Sequence, residues 1–326
     1  MMISADSQVI LLLCSRLGLP PDSDPAPFTL KDWNPLTKKL SIAGLRPGSL
    51  MGLDSMDIRS QLGLSVDEVE RISRLLERAG FLANELERLG SSGIFAMTRA
   101  DDDYPTRYRQ RLKDSSPSVL FYSGEKVLLG QPGIAVVGSR HLDEAGQSCA
   151  EFIGNTCGLS GLVLYSGGAK GVDILSMNAA LNARGTAAGI LAESLEKAIR
   201  SPDLRSALNR GDLCLATPYS PNAPFSVGAA MGRNKLIYTL ADHALIVASD
   251  AEKGGTWAGA TEALKAKWVP VFVLEHPEMP EGNKKLLQKS ALGFPYPFKE
   301  NKLKLKEWMD KQAAQIKPEP FQQGLF

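Results

Sequence analysis

The chain has 326 residues, 44% of them hydrophobic and 22% charged, with a formal net charge of +1. That balance suits a soluble globular protein of about two domains with a sizeable core. It excludes nucleic-acid binding through a global excess of positive charge, so such a partner would require a local basic patch.

The cysteines Cys14, Cys149, Cys157 and Cys214 form no CxxC pair and no Cys/His metal spacing. No metal is expected, and scattered thiols fit a reducing cytoplasm. The apolar run Val9 to Leu13 is too short to span a membrane. Asp6 precedes it and no Lys or Arg does, which argues against a signal peptide. Residues 6–17 read as the first core helix. The stretch 20–27, with Pro20, Pro21, Pro25 and Pro27, is a loop. Residues 43–48, Ala-Gly-Leu-Arg-Pro-Gly, suit either a helix-hairpin-helix on DNA phosphates or a packing bundle. Ser65 with Asp67 and Glu68 offers an N-cap and early acids. Val66, Val69, Ile72, Leu75, Leu76 and Ala79 follow at helical spacing, with Gly80 as the stop. Up to about residue 95 no convincing strand is present.

From about residue 133 short apolar runs alternate with helical patterns. Ile134–Val137, Leu162–Tyr165, Ala187–Leu191, Leu213–Ala216, Ala244–Val247 and Val271–Leu274 read as strands buried on both faces. Helices are expected near 144–158, 172–184, 201–210, 233–241 and 258–267. This alternation predicts an α/β fold with a doubly wound, mostly parallel sheet, whose strand-to-helix loops share one edge. Residues 281–326 carry nine Lys and five acids, with helices expected near 283–291 and 301–313. The expected division is a helical domain over 1–95, an α/β domain over 96–300, and a C-terminal helix and tail over 301–326.

Four loops carry the chemistry. In the first, Gly138 permits a tight turn, Ser139 can bond a phosphate oxygen, and Arg140 offers a planar fork. The second runs Ser166, Gly167, Gly168, Ala169, Lys170, Gly171; small residues let backbone N–H groups face an anion, and Lys170 adds charge. It is neither a Walker A loop nor GxGxxG. The third places Arg233, Asn234 and Lys235 where a helix is expected to begin. Cations are unfavourable beside the positive end of a helix dipole unless an anion sits there. In the fourth, Lys253, Gly254, Gly255 and Thr256 form another amide nest, and Trp257 either stacks on a base or packs in the core. Tight turns account for the glycines and leave the recurring cations unexplained. A phosphate-bearing ligand accounts for both.

These motifs resemble the DprA/Smf family of DNA-processing proteins over roughly residues 100–280. The resemblance rests on Tyr104-Pro105, on Pro117 to Phe121, on Val137 to Arg140, and on Ser166 to Asp173 with Ala180-Leu181. Gly232 to Ile237 and Gly254 to Thr256 complete it. It implies a Rossmann-like domain that binds single-stranded DNA in a basic pocket without catalysis or cofactor. A homodimer and a RecA-type recombinase are its implied partners. By position, Arg140 would contact phosphate, the loop from Ser166 to Gly171 would line the floor, and Arg233 and Lys235 would form a basic wall. Asn234 would cap or bond backbone, and Asp173 would fix its loop by accepting N–H groups. The chain departs from the pattern at Met177, where the family has His, and at Lys235, where it has Arg. It also lacks the family's Tyr-Pro within 193–204 and carries Ala216-Thr217 in place of Ser-Glu. This marks a divergent branch, of a kind that resembles components of anti-phage or toxin–antitoxin operons.

Two further functions compete. One is a nucleotide sensor, or a hydrolase like the LOG-type phosphoribohydrolases. There Gly259 stands where that family has its glutamate, Glu262 lies one turn on, and His141 has no visible acid–base partner. The other is an antitoxin or regulator that binds an operon-encoded protein. Separately, Gln322, Leu325 and Phe326 resemble the Gln-x-x-Leu-Phe peptide that docks on the bacterial sliding clamp.

Overall fold

Ser4 accepts the Ser7 N–H at 3.1 Å and so opens α1 (Ala5–Cys14), which buries Val9 through Leu13 completely or nearly so. The computed structural model describes residues 3–19 and 24–315. Thr29 and Asp32 cap α2 (Leu30–Ile42). The turn after it faces inward: Arg46 Nε and the Gly48 N–H donate to the Asp6 carboxylate at 2.7 and 2.8 Å. α3 (Ser55–Leu62) follows, then α4 (Val66–Leu76), which starts with the reciprocal Ser65–Glu68 capping box.

Arg78 corrects the expected end of that helix. Its guanidinium donates to the carbonyls of Leu12, Ser15 and Leu17, groups left without partners where α1 stops. Drawn into this position, Arg78 leaves the helical conformation, with φ −83° and ψ 16°. The helix therefore breaks at residues 77–78, and Gly80 lies inside α5 (Ala79–Ser91) instead of ending α4.

Two strands then arise that the apolar pattern did not announce, β1 (Phe95–Thr98) and β2 (Val119–Gly124), antiparallel to each other. Between them lies α6 (Thr106–Leu112). The Tyr104 hydroxyl donates to the Pro117 carbonyl at 2.8 Å, which couples the two halves of the Tyr-Pro and Pro-Ser motif. The alternating region follows as expected. β3 (Gly133–Val137), α7 (Glu144–Leu159), β4 (Val163–Ser166), α8 (Val172–Asn182) and β5 (Ala187–Ile190) come first. Then come α9 (Leu195–Ala198), α10 (Pro202–Arg210), β6 (Leu213–Thr217) and α11 (Val227–Leu240). The chain continues through β7 (His243–Ile246), α12 (Gly254–Ala266), β8 (Val271–Glu275) and α13 (Glu281–Gln288). It finishes with β9 (Leu292–Pro295) and α14 (Leu305–Ala314).

The strand order is β1-β2-β6-β5-β4-β3-β7-β8-β9. This is a mixed, mostly parallel sheet with flanking helices, the doubly wound Rossmann-like type. Among the described residues no helix is long and apolar enough to cross a membrane.

Two compact units divide the chain. The first combines the described residues up to Gln131 with Ala188–Leu240, and the second combines Pro132–Ala187 with the described residues from Ala241 onward. The cut follows neither border expected from sequence. In the first unit β6 pairs antiparallel with β2, so the helical segment and the strands around it form one body. In the second, β4, β3, β7, β8 and β9 run parallel. Fully buried Asn283 ties the ends of two of these strands, donating to the carbonyls of Val247 and Leu274 at 3.0 and 3.1 Å. Helix α14 packs here as well: Trp308 meets Phe294 and Phe298 edge-on, and Asp310 lies 3.1 Å from the buried His243 imidazole.

Candidate nucleic-acid interface

In the second unit three of the four loops leave the carboxyl ends of the adjacent strands β4, β3 and β7. They touch one another. The Ser139 N–H donates to the Ala248 carbonyl at 2.8 Å, and the Val172 N–H to the Ser139 carbonyl at 3.4 Å. Gly171, at φ +90°, makes this approach feasible: a Cβ there would stand 2.5 Å from the Ser139 carbonyl oxygen and 2.7 Å from Arg140 Cα. Asp173, buried at the start of α8, accepts the N–H groups of Gly167 and Ala169 at 3.2 and 3.4 Å. It holds the loop as expected, and in doing so it engages two amides of the nest. The Ser166 hydroxyl is fully buried and donates to the Val136 carbonyl at 2.6 Å, a bond internal to the sheet. Ser139 accepts the His141 N–H at 3.1 Å and so closes its own turn.

Cations and a helix end face outward from this framework. Arg140, Lys170 and Lys253 are exposed. Lys253 occupies the N-cap position of α12, which has no side-chain cap and no acid in its first turn. Gly254, at φ +77°, Gly255 and Thr256 form that first turn. The positive end of the helix dipole thus lies at an exposed cation, an arrangement that favours an anion. Trp257 is half-buried.

The third loop belongs to the first unit, and here the sequence reading needs correction. Helix α11 begins at Val227, well before the expected start at 233. Ser226 accepts the Ala229 N–H at 3.0 Å and serves as the cap, while Gly228 and Gly232, both weak helix formers, hid the first two turns from the sequence pattern. Arg233, Asn234 and Lys235 therefore lie inside the helix, and the dipole argument does not apply to them. Arg233 is 6% exposed. Lys235 is half-buried and lines a cavity of about 260 Å³ together with Tyr219, Ser118 and Cys14, none of which the sequence reading placed in the site. Pro218-Tyr219, directly after β6, was the available signal, since ligands of doubly wound sheets gather at strand carboxyl ends.

Residues 95–295 match the family described as DNA recombination-mediator protein A. The chain belongs to that family. Its fold is similar to that of DNA processing protein A (DprA) from Streptococcus pneumoniae, with 20% identity, 94% of this chain and 99% of that one covered, and a TM-score of 0.69. It is also similar to DNA processing protein A from Helicobacter pylori, whose structure concerns a single-stranded DNA binding mode, with 24% identity, coverage of 68% and 98%, and a TM-score of 0.54. No curated protein matches the chain. The family match includes all four loops and stops short of the terminal Gln322, Leu325 and Phe326, which lie outside the described residues. Among the described residues no three His, Cys, Asp or Glu side chains stand where they could hold one metal ion. Met177, the departure from the family's His, is 1% exposed in α8 and serves as core. Glu262 is exposed on α12, and Gly259 is buried in it.

Proposed function

We propose that this protein binds single-stranded DNA without catalysing a reaction, holding backbone phosphates at the carboxyl ends of β3, β4 and β7. The observation that carries the reading is the start of α12, with Lys253 at its N-cap position and no first-turn acid, in a unit where Arg140, Lys170 and Lys253 are exposed on the three strand-end loops. Arg140 supplies a bidentate fork to phosphate, the lysines supply point charges, and the α12 dipole supplies a positive end. Gly138 and Gly171 keep the loops close enough to act together. Asp173 and Ser166 position the second loop from beneath. Support comes from family membership and from the single-stranded DNA binding of the Helicobacter pylori protein. Within the family's DNA-processing role we extend the reading to recombination, with a second copy of the chain and a RecA-type recombinase as protein partners.

The test is fluorescence anisotropy with a labelled oligonucleotide at fixed low salt. Reversing charge at Arg140→Glu and Lys253→Glu together is expected to weaken binding by about 100-fold or more, since it removes two phosphate contacts and adds repulsion. The thermal midpoint should stay unchanged, because both side chains are exposed. Undiminished binding by the double variant would place the DNA elsewhere.

A further inference from the structure

A pocket of about 360 Å³ opens in the second unit, between the start of α7 and the segment after β8. Asp143, Glu144 and Ser148 line it from α7 and its cap, and His276 and Glu278 from the segment after β8. Three of these side chains are carboxylates, and no Lys or Arg lines the pocket. Asp143 follows Arg140 closely in sequence, yet the chemistry here is opposite to that of the phosphate loops. Clustered carboxylates repel phosphate and attract a cation. The volume is enough for a planar head group and the start of the stem that carries it.

Helix stability accounts for part of this cluster. Asp143 caps α7, its Oδ1 accepting the Gly146 N–H at 2.7 Å, and Glu144 stands in the first turn, where the helix dipole favours an acid. Neither reason covers Glu278, which is exposed and lies outside that helix, or His276. The His276 side chain is 7% exposed, and its Nε2 is buried without a hydrogen-bond partner. That nitrogen faces the other oxygen of Asp143, Oδ2, at 3.7 Å, too far for a hydrogen bond. An unpaired buried polar atom is costly, and native folds hold few of them. A donor inserted between Nε2 and Oδ2 would satisfy both.

We infer that this pocket receives the guanidinium of an arginine side chain presented by a protein partner. With its proton on Nδ1, His276 accepts at Nε2, and the carboxylates accept only. The occupant must therefore donate several hydrogen bonds, accept none and carry positive charge. A metal ion has the charge but requires converging ligands, and among the described residues no three such side chains converge. A guanidinium brings its own N–H donors, fixed in one plane. One of its amino groups fits the 3.7 Å gap between Nε2 and Oδ2, and the others reach toward the rim carboxylates Glu144 and Glu278. An ammonium is a compact point charge and lacks that fork. Free arginine would bring its own α-carboxylate among these acids, so the fitting source is an arginine within a polypeptide. The inference does not depend on the single-stranded DNA reading.

The experiment is calorimetric titration of the full chain at one low salt concentration with three probes: acetyl-Gly-Arg-Gly-amide, its Lys counterpart and free L-arginine. The Arg peptide should bind about tenfold or more tighter than either of the others. Asp143→Asn keeps the helix cap, since Asn caps as well as Asp, and should weaken Arg-peptide binding by about tenfold. His276→Phe keeps a ring in the buried position and removes Nε2. It should weaken the peptide about as much without lowering the thermal midpoint, because Nε2 has no partner to lose. Glu278→Gln, at an exposed position, should weaken the peptide severalfold and gives a reading free of any packing change. Oligonucleotide affinity should not fall in any of the three. Equal binding of the Arg and Lys peptides would reveal charge attraction without a fork-shaped site and overturn the inference. Free arginine binding as tightly as the peptide would assign the pocket to the amino acid and overturn it too. So would the absence of Arg-peptide binding at millimolar concentration, or parental binding in all three variants.

Discussion

Cys14, Cys149, Cys157 and Cys214 show how burial dominates a titration. Burial pushes the Cys14 and Cys157 thiols up to about 12, at Cys14 against the lowering pull of the Ser118 hydrogen bond and the Arg99 and Arg71 charges, and raises Cys149 and Cys214 further, from an ordinary value of 9.0. A thiolate kept from water pays a desolvation cost, so the folded chain keeps these protons. The sign follows from linkage. Between pH 9 and 12 the unfolded chain releases thiol protons that the folded chain retains, so the unfolded state binds fewer protons and stability falls as pH rises. Below pH 9 both states are protonated and these groups contribute no slope. Each retained proton is worth about a tenfold change in the folding constant per pH unit. Urea titrations at pH 8, 9 and 10 should show the midpoint dropping only above 9. A quadruple Cys→Ala variant should lose that additional drop. A parent curve with the same slope as the variant would contradict the assignment.

At the scale of elements, legibility tracked burial symmetry. β3, β4, β6, β7 and β8 are buried along nearly their whole length and read as unbroken apolar runs. β1 has exposed and half-buried positions at its start and β9 at both ends, so no run announces them; β2 is the exception, buried at all but its last position and yet not read. Helix α11 was shortened in the sequence because its glycines mimic a loop, and the split at Arg78 depended on carbonyls more than 60 residues away. The loops of the candidate site were legible as glycine and cation patterns. Their mutual contact was not, because it depends on Gly171 meeting Ser139 across adjacent strands. Gly171→Ala tests that contact. At φ +90°, with the Ser139 carbonyl in the way, the added methyl must push the two loops apart. The expected result is about a tenfold loss of oligonucleotide affinity with a destabilisation of about 1–3 kcal/mol. Ala169→Gly in the same loop adds no such methyl and should bind like the parent. Unchanged affinity in Gly171→Ala would show that the β3 and β4 loops act separately.

For the molecule as a whole, a net charge of +1 makes long-range attraction of DNA weak, so affinity must come from cations in local contact with phosphate. That makes the salt dependence a count of contacts. In single strands the slope of log K against log salt is about −0.7 per phosphate neutralised. Arg140, Lys170 and Lys253 all belong to the second unit. Three such contacts predict a slope of about −2. Lys253→Ala should flatten that slope by about 0.7, and Lys170→Ala should do the same. A parental slope in both variants would show that these lysines meet no phosphate. The net charge of the chain is nearly constant across these variants, so a change in slope reports the contact removed and not a shift in the overall field.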